Sequence, residues 1–262
     1  MDLINDEEVQ RWLKFSIKSF AKENHPHFLY RGLCYSPQLC DFVMTLCMHL
    51  KAPYEVIYKT IEMFDRFVFL HFWSLPVEKC IESFDQPFVP QKKKIMLFLF
   101  TVLQVSTKLV YRHKILKTSD AGKIMQKLGY MFTRKEILSS ELCVLGTLQD
   151  SLMCRTLEEC VEFLGVVFRN QDRTVRFTMK NQVLFYVYCN YNRLSIKLRK
   201  YQLLFQSYTQ TVFLLGFSIL LSCLVLQNQI QKLESLQSVV KYLNIVNEQD
   251  IQKVSFIILT SI

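Results

Sequence analysis

Apolar residues recur along this chain at every third or fourth position, the period of helices that bury one face, and runs of alternating apolar and polar residues are missing. The periodic segments predict helices over about 4–23, 36–50, 53–73, 91–115, 119–128 and 133–149, then 157–168, 176–198, 201–229, 232–244 and 248–261. Start signals stand at several of these ends. "SPQLCDFV", "APYEVIYK" and "VPQKKKIM" set Pro37, Pro53 and Pro90 where a helix would begin, a place where proline's missing N–H would be unpaired anyway. "TRKE" (Thr133 to Glu136) and "TLEE" (Thr156 to Glu159) have capping-box spacing, the threonine hydroxyl accepting from a free N–H while the glutamate reaches back. Asn-Gly and Asp-Gly hairpin turns do not occur, so the expected class is all-α.

After the first helix, the remaining ten fall into two sets of five. In each set the third helix is the longest and most apolar, "IMLFLFTVLQVSTKLV" in one and "TVFLLGFSILLSCLVL" in the other. A helix apolar around its whole circumference has to be surrounded by others, whereas its neighbours need one apolar stripe each. The expected architecture is two tandem five-helix bundles with an extra N-terminal helix: 1–35 for that helix and a linker, 36–150 for the first bundle and 151–262 for the second. A chain of 262 residues agrees with two domains, since single cores stop growing near this size.

Composition sharpens this picture at a few points. Half of the residues are hydrophobic, enough for large cores. The densest stretch, Val212 to Leu226, is shorter than a bilayer crossing requires, so no membrane span is expected. The net charge of +9 would suit an acidic partner or nucleic acid, but solubility is the simpler reading and direct DNA binding is not expected. The nine Cys include no C-x-x-C pair and no signal-peptide pattern precedes them, which argues against disulfides, a zinc framework or any metal, and for a reducing compartment. Phosphate-cradling glycine loops, nucleophile elbows and His-Glu zinc helices do not occur. No catalytic residue and no cofactor are therefore assigned, and the expectation is a protein that is not an enzyme.

Two charges break the apolar pattern. On the helix over 91–115, Thr101, Gln104, Lys108 and Arg112 share one narrow polar face. On the helix over 133–149, Glu141 sits among Ile137, Leu138, Val144 and Leu145, where a leucine would be expected. Isolated charges are too costly to bury, so each must face solvent, pair with the other or meet a partner's groups. Spacing by itself favours an internal ion pair at the core edge or a lysine whose stem is buried and whose ammonium reaches water.

The same segments resemble the cyclin family. "EVIYKTIEMFDRFVF" resembles the cyclin-box helix carrying the Asp-Arg-Phe signature, here Asp65, Arg66 and Phe67. "VLQVSTKLVYRHKI" resembles the helix ending in Ala-Ser-Lys, and "FTRKEILSSELCVLGTL" the following helix with its internal glutamate. The resemblance covers about 36–150 well and the remainder more loosely, as a second cyclin fold. It implies that Lys108 and Glu141 contact a cyclin-dependent kinase, and that the chain does no chemistry but shifts its partner towards an active arrangement. "STKLVYRHKI", "LGYMFTRKEILSSELCVLGTL" and "LEECVEFLGVV" are closest to a divergent branch of the family that acts in meiotic crossover formation. That likeness implies a nuclear, chromosome-associated protein of meiotic cells, with the cytoplasm as a second location. Its implied partners are cyclin-dependent kinase 2 foremost, and crossover factors of the ubiquitin-ligase and mismatch-repair types. The alternatives are a kinase-independent scaffold bridging recombination proteins, and a conventional cell-cycle or transcriptional cyclin.

Departures from cell-cycle cyclins stand beside these matches. "SPQLCDFVMTL" lacks the Met-Arg-Ala-Ile-Leu docking patch, Asp65 loses the arginine that would pair with it so that some other base must serve, and "LVYRHK" replaces an acidic pair after Lys108. Among lesser candidates, "KEN" (Lys22, Glu23, Asn24) matches a degradation signal, and His25 with His27 reads as a loop rather than a metal site. The basic runs "QKKK", "RHKILK" and "RLSIKLRK" read as solvated helix ends.

Overall fold

The computed structural model describes residues 7–21, 32, 34–73, 88–110, 116–200 and 208–262. Among them are twelve α-helices and no strand. The protein is all-α, and no described helix is long and apolar enough to cross a membrane. The chain divides into two compact units, one spanning 29–154 and the other combining the N-terminal helix with the residues from Arg155 onward.

The 29–154 unit holds α2 (Pro37–His49), α3 (Tyr54–Val68), α4 (Phe88–Val110), α5 (Thr118–Lys127) and α6 (Arg134–Leu148). Helix α2 starts as its proline indicates: Pro37 lies in the first turn and Ser36 Oγ accepts from Leu39 N–H. Pro53 instead caps α3 from outside, and α4 begins two residues before Pro90. Thr133 and Glu136 close the full capping box that opens α6. Helix α3 runs on into a π-helical turn, Phe69–Trp73, and α6 into a 3₁₀ turn, Gln149–Ser151. Every residue of α4 from Leu97 to Thr107 is buried, as a surrounded helix requires, and α4 packs against α3, α5 and α6. Helix α3 is nearly as enclosed. Its polar Lys59, Thr60, Glu62 and Asp65 are all buried with Val56 to Phe64, a burden the sequence pattern does not announce.

The other unit holds α1 (Glu7–Ala21), α7 (Leu157–Gln171), α8 (Lys180–Cys189), α9 (Tyr191–Lys200), α10 (Tyr208–Leu226), α11 (Leu233–Leu243) and α12 (Glu248–Leu259). Helix α10 is buried without interruption from Thr211 to Leu224 and is enclosed by α1, α7, α8, α11 and α12. Helix α7 approaches α10 where Gly216 has no side chain; a Cβ there would lie 3.0 Å from Leu164 and 3.3 Å from the Cys160 sulfur. Helix α1 attaches through aromatic rings, with Trp12 5.1 Å from Phe163 and Phe20 5.4 Å edge-on to Phe213, measured between centroids. One expectation is corrected here: the segment 176–198 is not a single helix. It breaks at Asn190 (φ −110°, ψ 14°), whose side-chain amide donates to Tyr186 O, the local side-chain bond by which asparagine competes with helix continuation.

Candidate functional site

Lys108 lies in the last turn of α4 and Glu141 at the middle of α6. The two helices pack side by side, and Lys108 Nζ donates to Glu141 Oε1 in a direct ion pair. The lysine side chain is 38% exposed and the carboxylate 14%, so the pair sits at the rim of the bundle rather than within it. One turn and more deeper along the same seam, Thr101 and Ser140 hydroxyls meet at 2.6 Å, and Gln104 is buried between these levels. Thr101 and Lys108 of the polar face inferred for α4 thus meet α6, Gln104 is buried, and Arg112 is outside the described residues.

The environment of Glu141 differs from its sequence reading. Ile137 and Val144 are buried, but Leu138 is 42% exposed and Leu142 73%, so the face carrying these two leucines looks outward and Glu141, 14% exposed, lies at the boundary between the two faces. The carboxylate stands at the edge of a solvent-facing apolar strip, Leu138 and Leu142, whose spacing is one that a buried stripe also shows.

Asp65, Arg66 and Phe67 act on the fold from the end of α3. The N–H groups of Gly32 and Cys34 donate to the two Asp65 carboxylate oxygens, each at 2.7 Å. These main-chain amides serve the carboxylate, and Gly32 at φ +86° takes the left-handed conformation that turns its N–H inward. Burial, then the charge of Asp65 and a hydrogen bond to it, push the Cys34 thiol up to about 12. Arg66 donates to Ser151 O at 2.7 Å and to Glu62 O, which fastens the 3₁₀ turn after α6 to α3. Phe67, fully buried, stacks on His71 at 5.0 Å and lies 4.7 Å from Phe98.

Of the remaining candidates, Lys22, Glu23 and Asn24 lie outside the described residues, as do His25, His27 and most of "RHKILK". Lys92 to Lys94 are exposed at the start of α4, in one unit, while Arg193, Lys197, Arg199 and Lys200 are exposed on α9, in the other. No group of three or more His, Cys, Asp or Glu side chains is placed to hold a metal ion among the described residues.

Comparison with known proteins gives one informative similarity. The chain is 28% identical over 142 residues to human cyclin N-terminal domain-containing protein 1, an alignment that covers 49% of this chain and 43% of that protein. The aligned part thus spans less than half the length of this relative. No protein-family model and no solved structure matches the chain. The similarity, taken with the all-α architecture, supports a cyclin-like regulatory protein.

Proposed function

We propose that the chain is a noncatalytic cyclin-like subunit that binds a cyclin-dependent kinase on the α4–α6 face around Lys108 and Glu141. The observation that carries this reading is an ion pair set at the edge of an outward apolar strip, Leu138 and Leu142, on the helices whose sequences resemble the kinase-facing helices of cyclins. An amphipathic helix of the kinase would cover the two leucines, each worth about 1.5–3 kcal/mol on full burial, and exchange hydrogen bonds with the charged pair. Such a subunit works by differential affinity, holding its partner in the arrangement that it binds best. The finer assignments, meiotic crossover formation, cyclin-dependent kinase 2, recombination-factor partners and a nuclear location, rest on the resemblance of "STKLVYRHKI" and "LGYMFTRKEILSSELCVLGTL" to the meiotic branch.

Charge reversal tests the face. Lys108→Glu and Glu141→Lys should each weaken co-purification with cyclin-dependent kinase 2, by roughly 2–5 kcal/mol for a charge pair that becomes desolvated at an interface. The double swap, Lys108→Glu with Glu141→Lys, restores the internal pair in inverted order. If the pair merely joins α4 to α6, the swap recovers binding; if a partner reads the face, the swap recovers stability while binding stays lost. Undiminished binding in both single variants would sink the assignment.

A second reading, a scaffold that engages recombination proteins without a kinase, draws support from α2. Three of its exposed positions are the polar Gln38, Asp41 and Thr45, and Met48 is the one large apolar side chain exposed on it, where a docking patch would need several. Native complexes from meiotic cells that contain recombination factors and no kinase would favour it.

A further inference from the structure

The start of α4 and the first half of α6 enclose an open groove of about 570 Å³ within the 29–154 unit. Neither Lys108 nor Glu141 lines it, so a ligand held there does not depend on the kinase-binding face. The π-helical turn after α3 brings His71 to its inner end, where the ring stacks on Phe67, meets Phe98 edge-on at 5.2 Å and faces the Cys143 sulfur at 3.8 Å from Nδ1. Phe98 and Phe132 supply apolar surface, and each carries an ammonium over its ring: Lys94 Nζ is 5.7 Å from the Phe98 centroid and Lys93 Nζ 5.0 Å from that of Phe132. Lys135 completes the basic rim.

None of these three lysines forms an ion pair among the described residues. The rim also carries one acid, Glu136, whose Oε2 accepts from the N–H and hydroxyl of Thr133 in the capping box and whose charge is felt by Lys93. Among the described residues the groove therefore presents three ammonium groups against one carboxylate, around a pocket large enough for one or two apolar side chains, a combination that attracts carboxylates beside an anchor residue.

We propose that this groove docks a linear acidic peptide of a partner protein, an aromatic or leucine side chain seated against Phe98 and Phe132 and flanking carboxylates on Lys93, Lys94 and Lys135. A compact pocket with aromatic walls fits a short peptide better than a nucleic-acid backbone, which is tracked by a longer basic stripe.

The test is selection of random displayed peptides on the full chain, with counter-selection on the Lys93→Glu, Lys94→Glu double variant, whose altered positions are exposed at a helix start. The expected sequences pair Asp or Glu with one Phe, Tyr or Leu, and a synthetic peptide of the enriched sequence loses about tenfold or more in affinity on the double variant. The same peptide should slow alkylation of half-buried Cys143 while leaving Cys189, in the other unit, unchanged. Enrichment of neutral or basic peptides, equal affinity for the double variant, or unprotected Cys143 would each overturn the proposal. So would binding of a short DNA duplex that depends on the same lysines and displaces the peptide.

Discussion

Asp65 is buried, with Gly32 and Cys34 N–H groups aimed at its two oxygens. Hydrogen bonds to a charged acceptor are worth about 1.5–3 kcal/mol, and deleting the acceptor strands the buried Gly32 N–H and the half-buried Cys34 N–H. Asp65→Ala should accordingly destabilise the protein by about 3 kcal/mol, read as a lower urea midpoint with an unchanged slope. Asp65→Asn should recover only part of this loss, since a neutral amide accepts more weakly and turns one N–H towards a donor. Equal stability of the Ala variant and the parent would show that the loop at 32–35 does not depend on the carboxylate. The Asp-Arg-Phe triplet as a whole is then a set of fasteners: one residue holds the incoming loop, the next holds the turn leaving α6, and the third fills the core.

Helix α10 is fixed by what it lacks at one position. Replacing Gly216 by Val would press new methyl groups on Leu164 and Cys160, which are fully buried and have little room to yield. Overpacking of this kind costs about 1–3 kcal/mol, more than the few tenths of a kcal/mol that exchanging glycine for the β-branched valine gains in helix propensity, so thermal unfolding should shift to lower temperature. A Tm at or above that of the parent would mean that α7 and α10 can slide apart. Helix existence was largely legible in the chain, because Ser36–Pro37, Thr133–Glu136 and Thr156 act through bonds three residues away and write their geometry in local spacing. The break at Asn190 was not, since one asparagine within an apolar period of suitable length is a weak signal against continuation. The ion pair was legible as a possibility from the spacing of Lys108 and Glu141, yet the exposure of Leu138 and Leu142 was hidden: periodicity marks an apolar face without saying whether anything covers it. The amides that hold Asp65 and the groove at His71 come together from segments distant in sequence, where no local pattern could reveal them.

At the scale of the molecule, each unit keeps thiols that resist ionisation. Burial raises Cys47 in one unit and Cys223 in the other from 9.0 to about 12. The unfolded chain loses these protons first, so their contribution to stability is full below pH 9 and declines as pH climbs from 9 towards 12. Cys47→Val should flatten that alkaline decline relative to the parent in denaturant titrations at successive pH values; an unchanged slope would remove Cys47 as a contributor. The closed pair of Lys108 with Glu141 carries a last consequence. Since its two charges cancel locally, a protein that settles on that face releases few counterions, and its affinity should change little between dilute and concentrated salt. A ligand of the net-positive lysine cluster at the start of α4 should instead let go steeply as ionic strength rises, so a single salt titration can tell which of the two surfaces a newly found partner occupies.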